Sequence, residues 1–439
     1  MNKGGRKRLG QLAAVLSLAV ASPALADNEP KPSEFEQTIA QAKSLMMADS
    51  AAALEFARKA GDQVNGQSDE DLKNRLISQW LEAEALMRLN RSDEAGSIID
   101  KALATAEESF SDNKLYADLL RSKAAFEAGA GGYGEAFEFF LKAHDRYKAL
   151  GDDRSRAIVL QNIGSLYSDA RDYNRVLRYY REANEAFPED KALTLSAHNN
   201  TGNALKELER LNEAEAEFGK ALEVAGIMES PLLEARILTN IASTQFLKGE
   251  LDASEETIAR GLRIAYSGAP EWRPFLYGVR SQIELARGDY SKARAGLEMT
   301  FGNEDLSKTS PFFRDFHETA YKVYWRAGEY KLAGEHLSAF HRIDDEAREL
   351  SATANKALLG ARFDATNRDL RISKLSAEKE ANEARLSSAQ NQVILLSLLV
   401  ALIVAAFGIA LLILRTVSRS RAAIKEANAK LTYVTQHDS

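Results

Sequence analysis

The chain has no cysteine among its 439 residues, which excludes a disulfide framework, a thiol nucleophile and thiolate metal ligation. Proline is scarce, with eight in all, so long stretches can run helical without a forced break. A glycine-rich phosphate loop, a His-Glu-x-x-His zinc signature and a Gly-x-Ser-x-Gly nucleophile elbow are all missing. The six histidines, His144, His198, His317, His336, His341 and His437, are scattered. His336 and His341 lie five apart, a spacing that does not place both on one helical face as a metal pair needs. No catalytic residue, metal or cofactor is expected. The acidic clusters Asp69-Glu70-Asp71, Asp152-Asp153 and Asp344-Asp345 suit helix starts, where carboxylates complement the helix dipole. A net charge of -7 with no basic stripe in the long N-terminal part argues against nucleic-acid binding.

What is present begins with Val393 to Leu414, twenty-two residues without a charge. As a helix at about 1.5 Å per residue this run spans roughly 33 Å, enough for a hydrocarbon core. One transmembrane helix is expected there. The tail after it carries Arg415, Arg419, Arg421, Lys425 and Lys430 against Glu426 and Asp438, whereas the preceding stretch mixes signs. The positive-inside bias therefore puts residues 415–439 in the cytoplasm and the large N-terminal part outside. At the other end, Lys3, Arg6, Lys7 and Arg8 precede the apolar Leu12–Ala21, and Ala24-Leu25-Ala26 offers a small-residue cleavage site. Residues 1–26 read as a signal peptide. A bacterial inner-membrane protein with a periplasmic domain fits both ends.

Between them the composition is rich in alanine, leucine and helix-favouring charged residues, and reads as all-α. Internal repeats are visible. Leu160–Pro188, His198–Ala225 and Leu238–Ala265 each place a small residue (Gly164, Gly202, Ala242) where two helices approach closely. Val176, Ala214 and Ser254 follow at a second shared position, then Ala183, Ala221 and Gly261 at a third. With Tyr167, Tyr173, Tyr180 and the closing Pro188, the first stretch resembles the tetratricopeptide repeat. Further copies follow at Gly278–Met299 (Gly288, Tyr290, Ala293, Leu297) and Thr319–Phe340 (Tyr324, Gly328, Tyr330, Ala333). Earlier ones are Lys123–His144 (Tyr133, Ala136, Phe140, Ala143), Ala83–Ala106 and Ala48–Ala60. About eight repeats of about 40 residues are expected over residues 27–338, starting near 34, 76, 117, 157, 195, 235, 274 and 314. The resemblance implies a superhelix of helical hairpins whose first helices line a groove for a peptide or partner protein.

Polar residues placed on those groove-facing helices are Gln161 and Ser165, Asn199, Asn203 and Lys206, and Arg236 and Thr239. Asparagines with a basic pair suit a peptide backbone or carboxylate. Asn162, Asn200 and Asn240 recur at one position in three repeats, which points to hydrogen bonding within or between hairpins rather than a ligand site. Trp272 and Trp325 fit packing.

Residues 339–392 form a capping and connecting helix. Ile343, Ala347, Leu350, Ala354, Ala357 and Ala361 alternate spacings of four and three; Phe363, Leu370, Ala377 and Ala384 then recur every seven in a shifted register, which suits a weak dimeric coiled coil or a solvated stalk.

The tail, ending Ala427-Asn428-Ala429-Lys430-Leu431 and, six residues on, His437-Asp438-Ser439, resembles the linker into GGDEF domains of membrane-bound tetratricopeptide–GGDEF diguanylate cyclases. That resemblance implies the sensory half of such a protein, with His437 and Asp438 at the join to a missing domain. The family's enzyme makes cyclic di-GMP from two GTP with magnesium across a dimer, and its GG(D/E)EF loop would lie beyond Ser439. Two other readings stay open: a membrane-tethered scaffold for envelope proteins, and the input half of a histidine kinase, although the His437 context lacks the His-Glu-x-x-x-Pro pattern.

Overall fold

A computed structural model describes residues 32–302 and 304–437. The expected signal peptide, 1–26, and Asp438 lie outside the described residues. Sixteen α-helices, with three short 3-10 turns, make up the described chain, and no strand occurs among the described residues. The helices pair as eight hairpins. Hairpins 1 to 4 are α1 (Glu34–Leu45) with α2 (Ser50–Asp62), α3 (Asp69–Arg88) with α4 (Ser92–Phe110), α5 (Lys114–Ala130) with α6 (Tyr133–Leu150), and α7 (Asp153–Asp169) with α8 (Tyr173–Ala186). Hairpins 5 to 8 are α9 (Lys191–Glu207) with α10 (Leu211–Ile227), α11 (Pro231–Leu247) with α12 (Leu251–Gly268), α13 (Arg273–Ala286) with α14 (Tyr290–Phe301), and α15 (Arg314–Arg326) with the start of α16 (Tyr330–His437). This is the tetratricopeptide-type superhelix.

One turn is used again and again. The first helix of hairpins 2 to 8 ends in a residue with positive φ: Asn90, Gly131, Arg171, Glu209, Gly249, Gly288 and Gly328. The next amide then reaches back five residues, as in Asp172 N to Tyr167 O at 2.9 Å and Asp289 N to Glu284 O at 2.9 Å. That bond satisfies a carbonyl the helix end would leave open. Asp172 and Asp289 at once cap the following helix through Arg175 N and Lys292 N. Two bonds at one turn thus fix where hairpins 4 and 7 reverse.

Inside hairpins 4 and 5 a small residue admits a large one. A Cβ on Gly202 would lie 2.7 Å from the ring of Phe218, and one on Gly164 would lie 2.9 Å from Tyr180. Ala214, Ala221 and Ser254 are fully buried at the shared small positions. The largest core cluster runs through hairpins 3 and 4, around Phe140, Tyr147 and Tyr167.

The chain divides into two compact units, the first reaching Phe363 and the second starting at Asp364. In the first, the stripe Ile343, Ala347, Leu350, Ala354, Ala357 and Ala361 faces protein. It does more than cap the last hairpin: Ala354, Leu358 and Ala361 join the core cluster of hairpins 3 and 4. The second unit is helix throughout its described length. Its apolar run is exposed on every face, with Phe407 at 69% and Leu402 at 68%. It is long and apolar enough to cross a membrane.

Candidate functional site

The residues nominated from sequence separate into two groups. Gln161, Asn199 and Thr239 are buried. Gln161 Nε2 donates to Leu193 O at 2.8 Å, tying α7 to α9. Asn199 donates to Asn200 Oδ1 at 3.2 Å and accepts from Asn240 Nδ2 at 2.9 Å, linking α9 to α11. Asn200 also donates to Ser196 Oγ at 3.3 Å. Thr239 Oγ1 turns back to Ala235 O at 2.8 Å. Gln161 and the Asn199–Asn240 pair hold neighbouring first helices in register, whereas the Asn200 and Thr239 bonds stay within α9 and α11.

Ser165, Asn203, Lys206 and Arg236 stay half-buried. Crowding by protein lowers the Lys206 ammonium below its ordinary value, against the pull of Glu207 and of Asp315 on α15. Crowding likewise lowers the Arg236 guanidinium, with the Tyr180 hydroxyl opposing it. Neither cation has a carboxylate within ion-pair distance among the described residues. Asp169, at the end of α7, is solvent-accessible yet ringed by protein, and that desolvation raises its carboxyl to about 6. The Tyr133 hydroxyl donates to it at 3.3 Å. Hairpins 5 and 6 therefore carry two underpaired cations, Lys206 and Arg236, and hairpin 4 one underpaired acid, Asp169. A polar ligand that supplies a carboxylate to the first pair and a donor to the acid would match them.

His437 is the last described residue, so the join that the resemblance places at His437 and Asp438 has no structural account beyond helix reaching it.

Three features escaped the sequence reading. His317 and His336, 19 apart, meet in the buried interior of hairpin 8, Nδ1 to Nδ1 at 2.8 Å. His317 Nε2 lies 2.7 Å from Thr309 Oγ1, and Phe301 and Tyr324 pack on the pair. Burial pushes His317 down to about 3, helped by His336 and Arg342, and pushes His336 down to about 4. A second cluster joins hairpins 2 and 3. Glu84, 4% exposed, holds Arg88 at 2.8 Å and Arg121, itself 7% exposed, at 3.7 Å. Ser122 donates to the same carboxylate and accepts from Trp80 Nε1. The third is the seat of α16 on hairpins 3 and 4. Each needs two helices that are distant or differently faced, which periodicity within one helix does not reveal.

Among the described residues no three His, Asp or Glu side chains converge as a metal site requires. The cleft between α8, α9 and α10, beside the His198–Glu217 contact at 2.7 Å, encloses about 230 Å³. Cofactor and drug-sized pockets begin at about 300 Å³.

Tetratricopeptide-repeat family models match residues 115–189 and 195–226, which span hairpins 3 to 5. No curated protein matches the chain. Among solved structures, the apo form of RapI is similar with a TM-score of 0.57 at 15% identity, covering 76% of this chain and 98% of that one. The apo quorum sensor NprR from B. thuringiensis gives 0.55 at 12% identity, covering 70% and 87%. A Signal Transduction ATPase with Numerous Domains bearing a tetratricopeptide repeat sensor, from Pyrococcus horikoshii, gives 0.51 at 16%, covering 69% and 44%. At such identities the likeness is one of fold.

Proposed function

We propose that this chain is the sensing and transmission half of a single-pass inner-membrane signalling protein. After export by its signal peptide, the array over residues 27–338 faces the periplasm and binds a protein or peptide through the Asn203, Lys206 and Arg236 surface. Residues 339–392 connect to the span at 393–414, and the basic tail 415–439 leads in the cytoplasm to a GGDEF diguanylate cyclase domain. The chain itself carries no catalytic machinery; repeat arrays of this kind bind partners.

One observation carries the reading. The helix that completes hairpin 8, packs on hairpins 3 and 4 and holds the apolar run is a single helix, Tyr330–His437. A ligand that binds one arrangement of the array better than another therefore acts on the element that enters the membrane. The same fold in a quorum sensor and in the sensor of a signal-transduction ATPase is in keeping with a regulatory role.

The test is the product of the native gene. A frame running past Ser439 through Leu-Thr-Gly-Leu to a GG(D/E)EF loop supports the cyclase reading. A product ending at Ser439 overturns it and leaves a membrane-tethered binding protein.

A further inference from the structure

The first turns of α16 belong to hairpin 8, but its next five turns lie against a part of the array nearly two hundred residues upstream. Ser351 Oγ and Asn355 Nδ2 both donate to Ala170 O, at 3.1 and 2.6 Å, across sequence separations of 181 and 185. Ala170 ends α7, so its carbonyl is one that a helix terminus leaves to solvent. One hairpin earlier, a Cβ on Gly134 would stand 3.5 Å from Ala357 O and 3.9 Å from Ala361 Cβ. Residues 343–361 therefore run along the turn edges of hairpin 4 and then hairpin 3.

The seam differs from the joints between hairpins. The array's interior, within and between hairpins, is filled by rings such as Phe140, Tyr147 and Phe218. The seam is mostly alanine, at 347, 354, 357 and 361, with Ile343, Leu350 and Leu358, so each turn buries little apolar area. At its start Asp344 is held by Arg314 at 2.8 Å and Arg348 at 2.5 Å. Two hydrogen bonds to one carbonyl and a small-residue stripe are what a helix would use to dock and to leave.

We propose that the turn edge of hairpins 3 and 4 is a helix-binding site whose resident occupant is the chain's own segment 343–361, exchangeable for a partner helix with the same small-residue stripe. The identity of such a partner as the signal rests on the sensing function proposed above; the seat and its exchange do not. Displacement frees α16 from Ile343 onward, so the site that takes the partner is the one that releases the connecting helix.

Because the chain lacks cysteine, Gly134→Cys with Ala361→Cys makes a unique pair, and the 3.9 Å between their Cβ positions lies in disulfide range. In the detergent-solubilised full chain, mild oxidation should close this bond within single chains, read by intact mass and mobility without reductant. A synthetic peptide of residues 341–363, at about ten times its own dissociation constant, should slow closure about tenfold by mass action. The same peptide carrying Ala354→Glu and Leu358→Glu should leave the rate unchanged. A folded variant that forms no bond, or forms it between two chains, overturns the seat. Closure as fast with the native peptide as without it overturns the exchange. Hydrogen exchange on the unsubstituted chain gives an independent reading: residues 343–361 should exchange faster than α7, and equal protection would mark a permanent cap.

Discussion

Single residues decide the interior of this array where charge is buried. Burial alone would raise the Glu84 carboxyl, but Arg121 and Arg88 overcome that and hold it below the usual carboxylate range. Glu84→Leu should therefore destabilise the array by about 3–5 kcal/mol, because Arg121 is left buried without its anion; urea unfolding followed by circular dichroism measures this, and a loss below about 1 kcal/mol would refute it. The His317–His336 pair predicts a pH dependence. Both folded values lie below the ordinary 6.5, so the unfolded chain binds more protons as pH falls. The stability from keeping the pair neutral is complete above about pH 6.5 and is lost on acidification towards pH 4. At pH 5 the loss approaches about 2 kcal/mol per histidine. His336→Leu should flatten the melting temperature between pH 7 and 5; an unchanged slope would rule the pair out as its source. Asp169 works in the opposite direction, since its raised carboxyl favours the folded state as pH falls through about 6. None of these partnerships was legible in the sequence. Gln161 and Asn199 were read as groove-facing because polar side chains on amphipathic helices ordinarily meet water. Here α7 and α9 are covered on most faces, and their amides are spent between helices.

At the scale of the element, what repeats locally was legible and what joins distant segments was not. Hairpin number and the small-residue positions follow from spacings of a few residues, and Gly164 and Gly202 receive their rings as the pattern implied. The stripe from Ile343 to Ala361 was equally visible as a helical face. Its destination on Ala170 was not, because nothing within that helix encodes a contact made 181 residues away. The turns show the same economy. Four of the seven positive-φ turn residues are glycine; Glu209, at φ 58°, is not. A side chain there costs about 1–2 kcal/mol in strain, partly offset by the added freedom glycine brings to the unfolded chain. Glu209→Gly should thus stabilise hairpin 5 by about 0.5–1 kcal/mol, seen as a higher urea midpoint with an unchanged slope. A lower midpoint would mean that the Glu209 side chain holds the turn in a way its backbone does not reveal.

For the molecule as a whole, an open array would bury its hairpins only against immediate neighbours. Here α16 returns to hairpins 3 and 4, so hairpins far apart in the chain are tied together as well. The second unit leaves Leu370, Ala377 and Ala384 uncovered. If these form the expected dimer seam, Ala377→Leu with Ala384→Leu should shift the detergent-solubilised chain from monomer to dimer in sedimentation, since leucines at such positions strengthen a coiled coil; an unmoved monomer would leave a solvated stalk. On the proposed topology, which rests on the charges on either side of the apolar run, the array lies outside and the tail inside, and the absence of cysteine makes each introduced thiol the only one. Asp112→Cys, on an exposed residue of the array, should react with a membrane-impermeant maleimide added to spheroplasts. Ser420→Cys, also exposed, should react only after the membrane is permeabilised. Labelling in the reverse order would place the array in the cytoplasm. Labelling of both without permeabilisation would mean that the apolar helix does not cross, and transmission would then have to occur on one side of the membrane.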